Sequence, residues 1–230
     1  MQRPWRLLTA AAMVALLASC GPQLAPPAPG PVADPGAYRA KAAPAAAIYA
    51  VDPGASLIAV TVRRAGLMAR LGHDHVVASH TLAGFVAPDA RSADISFRLD
   101  QMTVDEPQLL RDAGIDKQPS APAVEGTRTN MLGPVLDAQR YPVVSLHVEQ
   151  QADGLLRVAV TLHGTTRLLA LPAAVRVDAA QVSASGTARL KQTDFGITPF
   201  SIGGGLLSVQ DELELRYHIV ALRRSPSVGQ

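Results

Sequence analysis

The sequence predicts an all-β fold, an extended eight-stranded antiparallel β-barrel with a short helical insertion between two of its strands. Three observations carry that expectation. After Ile48 apolar residues recur with a period of two rather than 3.6, the pattern of strands with one buried and one wet face. About eight such segments follow one another, and closing them into a barrel removes the exposed edges that an open sheet would leave. One stretch, between Thr103 and Tyr141, breaks the alternation and carries helix signals instead.

The amino end reads as export machinery. Arg3 and Arg6 precede the apolar run Leu7 to Leu17, and Leu17-Ala18-Ser19-Cys20 follows directly, the order of a bacterial secretory signal that ends at residue 19. Its eleven positions are too few for a hydrocarbon core that needs roughly twenty. Cys20 is the only cysteine, so no intramolecular disulfide is available. Leu-Ala-Ser-Cys resembles a lipobox, which makes Cys20 the expected lipidation site, and several acyl chains on one residue give stable anchoring. Gly21 rather than Asp follows the cysteine; as in enterobacterial lipoproteins, that favours the outer over the inner membrane, with the domain facing the periplasm. Residues 20–47 are rich in Pro, Ala and Gly and bury too little to fold, so they are expected to form a disordered, extended tether.

The barrel is expected over residues 48–222, with 223–230 as a disordered tail. Its strands are read from Ile58-Val60-Val62, His80–Ala87, Ile95-Phe97-Leu99, Val144-Leu146-Val148, Leu156-Val158-Val160-Leu162, Leu168–Val177, Val182-Ala184-Ala188-Leu190 and Leu213-Leu215-Tyr217-Ile219. Asp153-Gly154 joins two of them as a tight hairpin. In the insertion, Asp105 is placed to cap a short helix with Pro107 in its first turn and Gly114 as its stop. A second helix is expected from Ser120 towards Met131-Leu132, ending before Pro134. The economical place for this insertion is across an open end of the sheet, as a lid.

Eight strands enclose a space that side chains can fill or that holds one small ligand. The inward residues are small: Val60, Val62, Leu99, Val158, Val160, Leu213 and Leu215, with Phe97 and Tyr217 as the large ones. Strands of nine residues tilted by about 40° make a barrel roughly 23 Å tall, so a cavity there would be long, thin and apolar, with these nine residues as its ligand-binding wall. A solid packed core fits the alternation equally well. Aromatics make up 4% of the chain, and the single Trp, Trp5, lies in the signal.

The order of several short motifs resembles the YceI-like family of polyisoprenoid-binding periplasmic proteins. The matching pieces are Tyr49-Ala50-Val51-Asp52-Pro53, Gly84-Phe85, Leu136-Asp137 with Tyr141-Pro142, Leu162-His163-Gly164-Thr165-Thr166 and Asp194-Phe195-Gly196-Ile197. Together they span Ile48 to Leu222. The resemblance implies a lipocalin-like barrel whose pore holds a polyisoprenoid or an isoprenoid quinone, with no catalytic residues and no required cofactor. The chain departs from the commoner pattern in its lipobox and tether, its scarcity of aromatics, and the sequence Leu71-Gly72-His73-Asp74-His75.

Other chemistry is weighed residue by residue. His73 and His75 would share a face in extended chain and could hold a metal ion, although two ligands are half of the usual tetrahedral set. His163 reads as a turn residue, and His147 and His218 as outward ones. Asp194-Phe195-Gly196 has the letters of a kinase metal-binding motif without its companions, and Ser201-Ile202-Gly203-Gly204-Gly205 lacks the Lys and helix of a phosphate loop. With Arg3 and Arg6 set aside, 19 basic residues face 19 acidic ones, a balance that argues against nucleic acid as a partner. The expectation is a non-enzymatic, lipid-anchored envelope protein whose partners are an apolar lipid and the membrane. A metal-binding protein using His73 and His75 is the alternative, and a homodimer is left open.

Overall fold

The structure is a computed structural model that describes residues 47–223. The expected signal peptide, Cys20, the tether before Ala47 and the tail after Arg223 lie outside the described residues. The first wall strand comes in two pieces, β1 (Tyr49–Val51) and β2 (Leu57–Val62), parted by a turn in which the Asp52 carboxylate accepts from the Gly54 amide. β3 (Arg64–Ala65) leaves the wall. β4 (His75–Ser79) and β5 (Ala83–Ala87) make the second wall strand, and β6 (Ser92–Arg98) and β7 (Thr103–Val104) the third, broken by a turn at Leu99–Gln101.

Two helices follow, α1 (Pro107–Asp112) and α2 (Ala121–Asn130), and α2 runs on as a π-turn over Met131–Val135. β8 (Val143–Gln150) and β9 (Leu156–Leu162) are the fourth and fifth wall strands, and β10 (Thr165–Leu171) with β11 (Ala174–Val177) is the sixth. β12 (Gln181–Lys191) is the seventh. The short hairpin β13 (Ser201–Ile202) and β14 (Leu207–Val209) stands aside, and β15 (Glu212–Arg223) is the eighth.

Grouped in this way, eight wall strands are antiparallel neighbours in chain order. β5 lies on β1, β4 on β2, β6 on β5, β7 on β4, β8 on β6, β9 on β8 and β10 on β9. β12 lies on β11, and β15 pairs with β12, β1 and β2. The hydrogen-bonded ladder does not close on itself, a correction to the closed barrel expected. The sheet of twelve strand pieces is open between β10 and β11. There Pro172, which has no N–H to donate, interrupts the sixth strand, and the covalent chain carries the wall across. β15 reaches Arg223, one residue beyond the expected end of the barrel. Among the described residues no helix is long and apolar enough to cross a membrane.

The hydroxyl of Tyr217 repairs that break by donating to the Pro172 carbonyl at 2.9 Å. Gly186, opposite Tyr217 in the β12–β15 register, lets the ring pass, because a Cβ there would lie 2.6 Å from both that carbonyl oxygen and the Tyr217 hydroxyl. Tyr217→Phe should leave the Pro172 carbonyl without this donor and cost about 1 kcal/mol, read as a lower denaturation midpoint with an unchanged slope. Gly84 has a comparable duty on β5. Its φ is +153°, and a Cβ would fall 2.0 Å from the Asp94 carbonyl oxygen, so only glycine lets β5 and β6 approach there.

The insertion divides its work, which corrects the single lid expected from the sequence. Leu109 and Leu110 of α1 pack on Ala59, Val76 and Ala78, the outward-facing side of β2 and β4, so α1 covers the wall from outside. Met131, Leu132, Val135 and Leu136 pack against the interior cluster instead, so α2 and its π-turn form the lid. Asp105 does not cap α1. Glu106 holds that position without a side-chain bond, and Asp105 is turned inward. The second α-helix ends at Asn130, ahead of Pro134 as expected. The chain then widens into the π-turn around that proline, with the Leu136 amide donating to the Met131 carbonyl at 3.0 Å.

Candidate functional site

Alternation on eight strands brings one face of each to a common interior. In β2, β8, β9 and β12 the even-numbered residues point inward, and in β4, β6 and β15 the odd-numbered ones do. The space between them is an elongated cavity of about 390 Å³, within the usual range for small-molecule sites. Val60, Val62, Phe97, Leu99, Val158, Val160, Leu213, Leu215 and Tyr217 all lie on its wall. Leu99 reaches it from the turn after β6 rather than from a strand. Burial raises the Tyr217 hydroxyl pKa, so it stays protonated as the donor to Pro172.

The middle of the cavity is hydrocarbon and its two ends are polar. At the hairpin end stand Arg91, Ser92 and Gln150; at the lid end stand His75, Thr127, Asn130 and Gln192. The lid itself is expected from the sequence, but not that Thr127, Asn130, Met131 and Val135 line the cavity, because which side chains of that helix face inward is set by strands distant in the chain.

His75 is the most constrained of these groups. Its Nδ1 lies 2.7 Å from Asp105 Oδ2, and the Asp105 side chain is fully buried. Since a carboxylate only accepts, Nδ1 carries the proton. Asp105 Oδ1 also accepts from the Val76 amide at 2.9 Å, while the Asp105 amide donates to the Val76 carbonyl at 2.8 Å. The pairing of β7 with β4 ends at Val104, and the carboxylate takes over the next ladder donor. Asp105 adopts φ +58° to do so, a strained conformation of the kind that clusters at functional sites. On the other side of the ring, Nε2 lies 3.3 Å from Thr127 Oγ1 on α2, whose hydroxyl also lies 2.9 Å from the Ala123 carbonyl. Arg128 of the same helix donates to the carbonyls of Asp100 and Met102, which ties the lid to the wall. Asp105→Ala would leave the Val76 amide buried and unpaired, which costs about 1–3 kcal/mol. Asp105→Asn, which keeps one acceptor, should recover part of that in a denaturant titration.

The structure does not support the metal reading. His73 and His75 are neighbours, with ring centroids 6.1 Å apart and planes tilted by 56°, but among the described residues they are two ligands without a third beside them. Burial first, then the nearby positive charges of Lys117, His75 and Arg64, push the His73 pKa down. Among the described residues no three His, Cys, Asp or Glu side chains gather as a metal site. His147 pairs with Asp94 at 2.6 Å on the outer face. His163 sits in the β9–β10 turn with its ring 4.7 Å from Tyr141.

The sequence matches the YceI-like domain over residues 49–221. Solved structures that share the fold include these two. One is a polyisoprenoid binding domain from Saccharophagus degradans implicated in plant cell wall breakdown, with TM-score 0.55, 12% identity, and coverage of 76% of this chain and 98% of that one. The other is BcnA from Burkholderia cenocepacia, with TM-score 0.50, 15% identity, and coverage of 74% and 99%. No curated protein matches the chain. The match over most of the chain, the eight-strand wall and its apolar interior agree, and the protein belongs to the YceI-like family.

Proposed function

We propose that the protein binds an isoprenoid or other long apolar lipid inside its barrel, without transforming it, and does so in the bacterial envelope as a lipoprotein anchored through Cys20. The observation that carries this reading is the elongated cavity of about 390 Å³ whose middle is walled by Val, Leu, Ile and Phe. Such a wall gains roughly 25 cal/mol for each Å² of hydrocarbon it removes from water, and it offers a long chain contact along its whole length. A polyisoprenoid or isoprenoid quinone fits it, with the polar end of the lipid at His75 and Thr127 or at Arg91 and Gln150. The polyisoprenoid-binding description of the Saccharophagus degradans domain supports the same ligand class.

The test is organic extraction and mass spectrometry of the full chain purified after export in a bacterial host. A prenyl lipid in stoichiometric amount is the expected result, and protein that never carries lipid, even after incubation with prenols, would overturn the reading. Anchoring is read separately. Cys20→Ser should move the protein out of the membrane fraction, and separation of the two membranes tests the outer-membrane assignment that Gly21 suggests.

A further inference from the structure

The lid end of the barrel carries an exposed apolar surface that the cavity does not use. Nine large apolar side chains are exposed among the described residues, and five of them, Leu67, Met68, Leu71, Ile202 and Leu206, fall in two segments at this end. Leu67 is 92% exposed, Leu71 67% and Ile202 51%, so the described residues leave them largely uncovered. The segments are one body. β14 pairs with β3, the Met68 amide donates to the Leu206 carbonyl at 2.8 Å, and the Gln210 amide donates to the Arg63 carbonyl at 2.7 Å.

Charge singles out what covers this tip. Residues 63–73 contain Arg63, Arg64 and Arg70 and no acidic residue, and residues 195–210 contain no charge of either sign. Asp74 follows and pairs with Arg63 and Arg64, and Arg63 also pairs with Glu214 at 3.3 Å, while Arg70 stands exposed beside Leu67 and Leu71. Exposed apolar side chains with an unopposed arginine beside them suit the interface of an anionic bilayer. The tip is also continuous with the cavity, because Val62, Phe200 and Val209, which join or belong to these segments, lie on its wall.

We propose that this tip docks on an anionic phospholipid bilayer, inserting Leu67, Leu71 and Leu206 among the head groups, so that the lid end of the cavity opens against the membrane from which the lipid comes. The purpose of docking rests on the lipid-binding reading, but its test does not. Trp5 is the only Trp and lies in the expected signal, so Trp5→Phe leaves a single introduced reporter without background whether or not the signal is removed. Full chain carrying Trp5→Phe, Cys20→Ser, which removes the acyl anchor, and Leu67→Trp is compared with Trp5→Phe, Cys20→Ser and Leu168→Trp, a reporter at an exposed position of the β10 wall, both on phosphatidylglycerol and phosphatidylethanolamine vesicles.

Leu67→Trp emission should shift to the blue and be quenched by brominated acyl chains, and Leu168→Trp should do neither. Adding Arg70→Gln should lower the ratio of docked to undocked protein about fivefold, the share of one basic residue near an anionic surface. Unshifted Leu67→Trp emission, or equal quenching of the two reporters, overturns the proposal. Farnesol, a prenol delivered from solution, separates this from the cavity reading. Leu67→Glu with Leu71→Glu should keep farnesol binding while slowing lipid uptake from vesicles, and loss of farnesol binding in that variant would make the tip a wall of the cavity instead. If wild-type protein bound no farnesol while Leu67→Trp still inserted, the cavity reading would fall and docking would stand.

Discussion

Replacing Val60 and Val160 together by Phe is expected to abolish lipid capture while leaving the protein at least as stable as before. Both residues lie on the cavity wall, Val60 opposite Val77 and Leu215, and Val160 opposite Leu146. Two rings added there enter a space of about 390 Å³ that no side chain fills, so they add buried apolar area without displacing their neighbours. In a solid core the same substitutions would be overpacking and would cost typically 1–3 kcal/mol each. The sign of the stability change therefore separates an open barrel from a filled one. The expected loss of farnesol affinity is at least about tenfold, or roughly 1.4 kcal/mol, checked by titration alongside a denaturation curve. A destabilised variant that binds as tightly as wild type would mean that the lipid lies elsewhere.

The wall was legible in the sequence because period-two alternation is a local code. A residue such as Leu215 is placed inward by its own neighbours Glu214 and Arg216, and the register with Val60 and Ala188 follows. What the sequence hid was set by partners distant in the chain. Asp105 looks like a helix cap from Glu106 and Pro107 alone. Its observed role depends on His75 and Val76, some thirty residues earlier, which claim the carboxylate because β7 ends one residue before it. The His73 and His75 pair was visible as spacing, but Asp105 and Thr127 are the partners of the His75 ring, and neither is its sequence neighbour.

Breaks in the strands were equally illegible. Three wall strands are divided, at Pro53–Ala55, at His80–Leu82 and at Leu99–Gln101, and the sixth is divided at Pro172. Only the prolines advertise two of these. The apolar tip escaped notice for another reason. Leu67, Met68 and Leu71 lie in a segment with neither strand nor helix periodicity, and what makes them one surface with Ile202 and Leu206 is the pairing of β14 with β3 across more than a hundred residues.

The largest single loss of stability is expected from Phe195→Ala, about 3–5 kcal/mol. Phe195, in the turn Asp194-Phe195-Gly196, is fully buried in the interior cluster at the lid end. The turn exists to place that ring. The amides of Phe195 and Ile197 both donate to the Gln192 carbonyl, Gln192 Nε2 donates to the Gln210 carbonyl at 2.8 Å, and Asp211 accepts from the amide and hydroxyl of Thr193. Truncation leaves a hole that this pinned backbone cannot collapse to fill, which puts the cost towards the upper end of the range. Against a typical domain stability of 5–15 kcal/mol the variant would be marginal, whereas Asp194→Ala, one residue away and exposed, should stay within about 0.5 kcal/mol. The same variant also reports on the cavity, because Ile197 belongs to this cluster and lies on the cavity wall. A ligand held only by the folded barrel restores stability by mass action, about 2.7 kcal/mol at a hundred times its dissociation constant. A prenol should therefore raise the denaturation midpoint of Phe195→Ala, and no rise at saturating prenol would mean that the lid-end wall must be intact for lipid to bind at all.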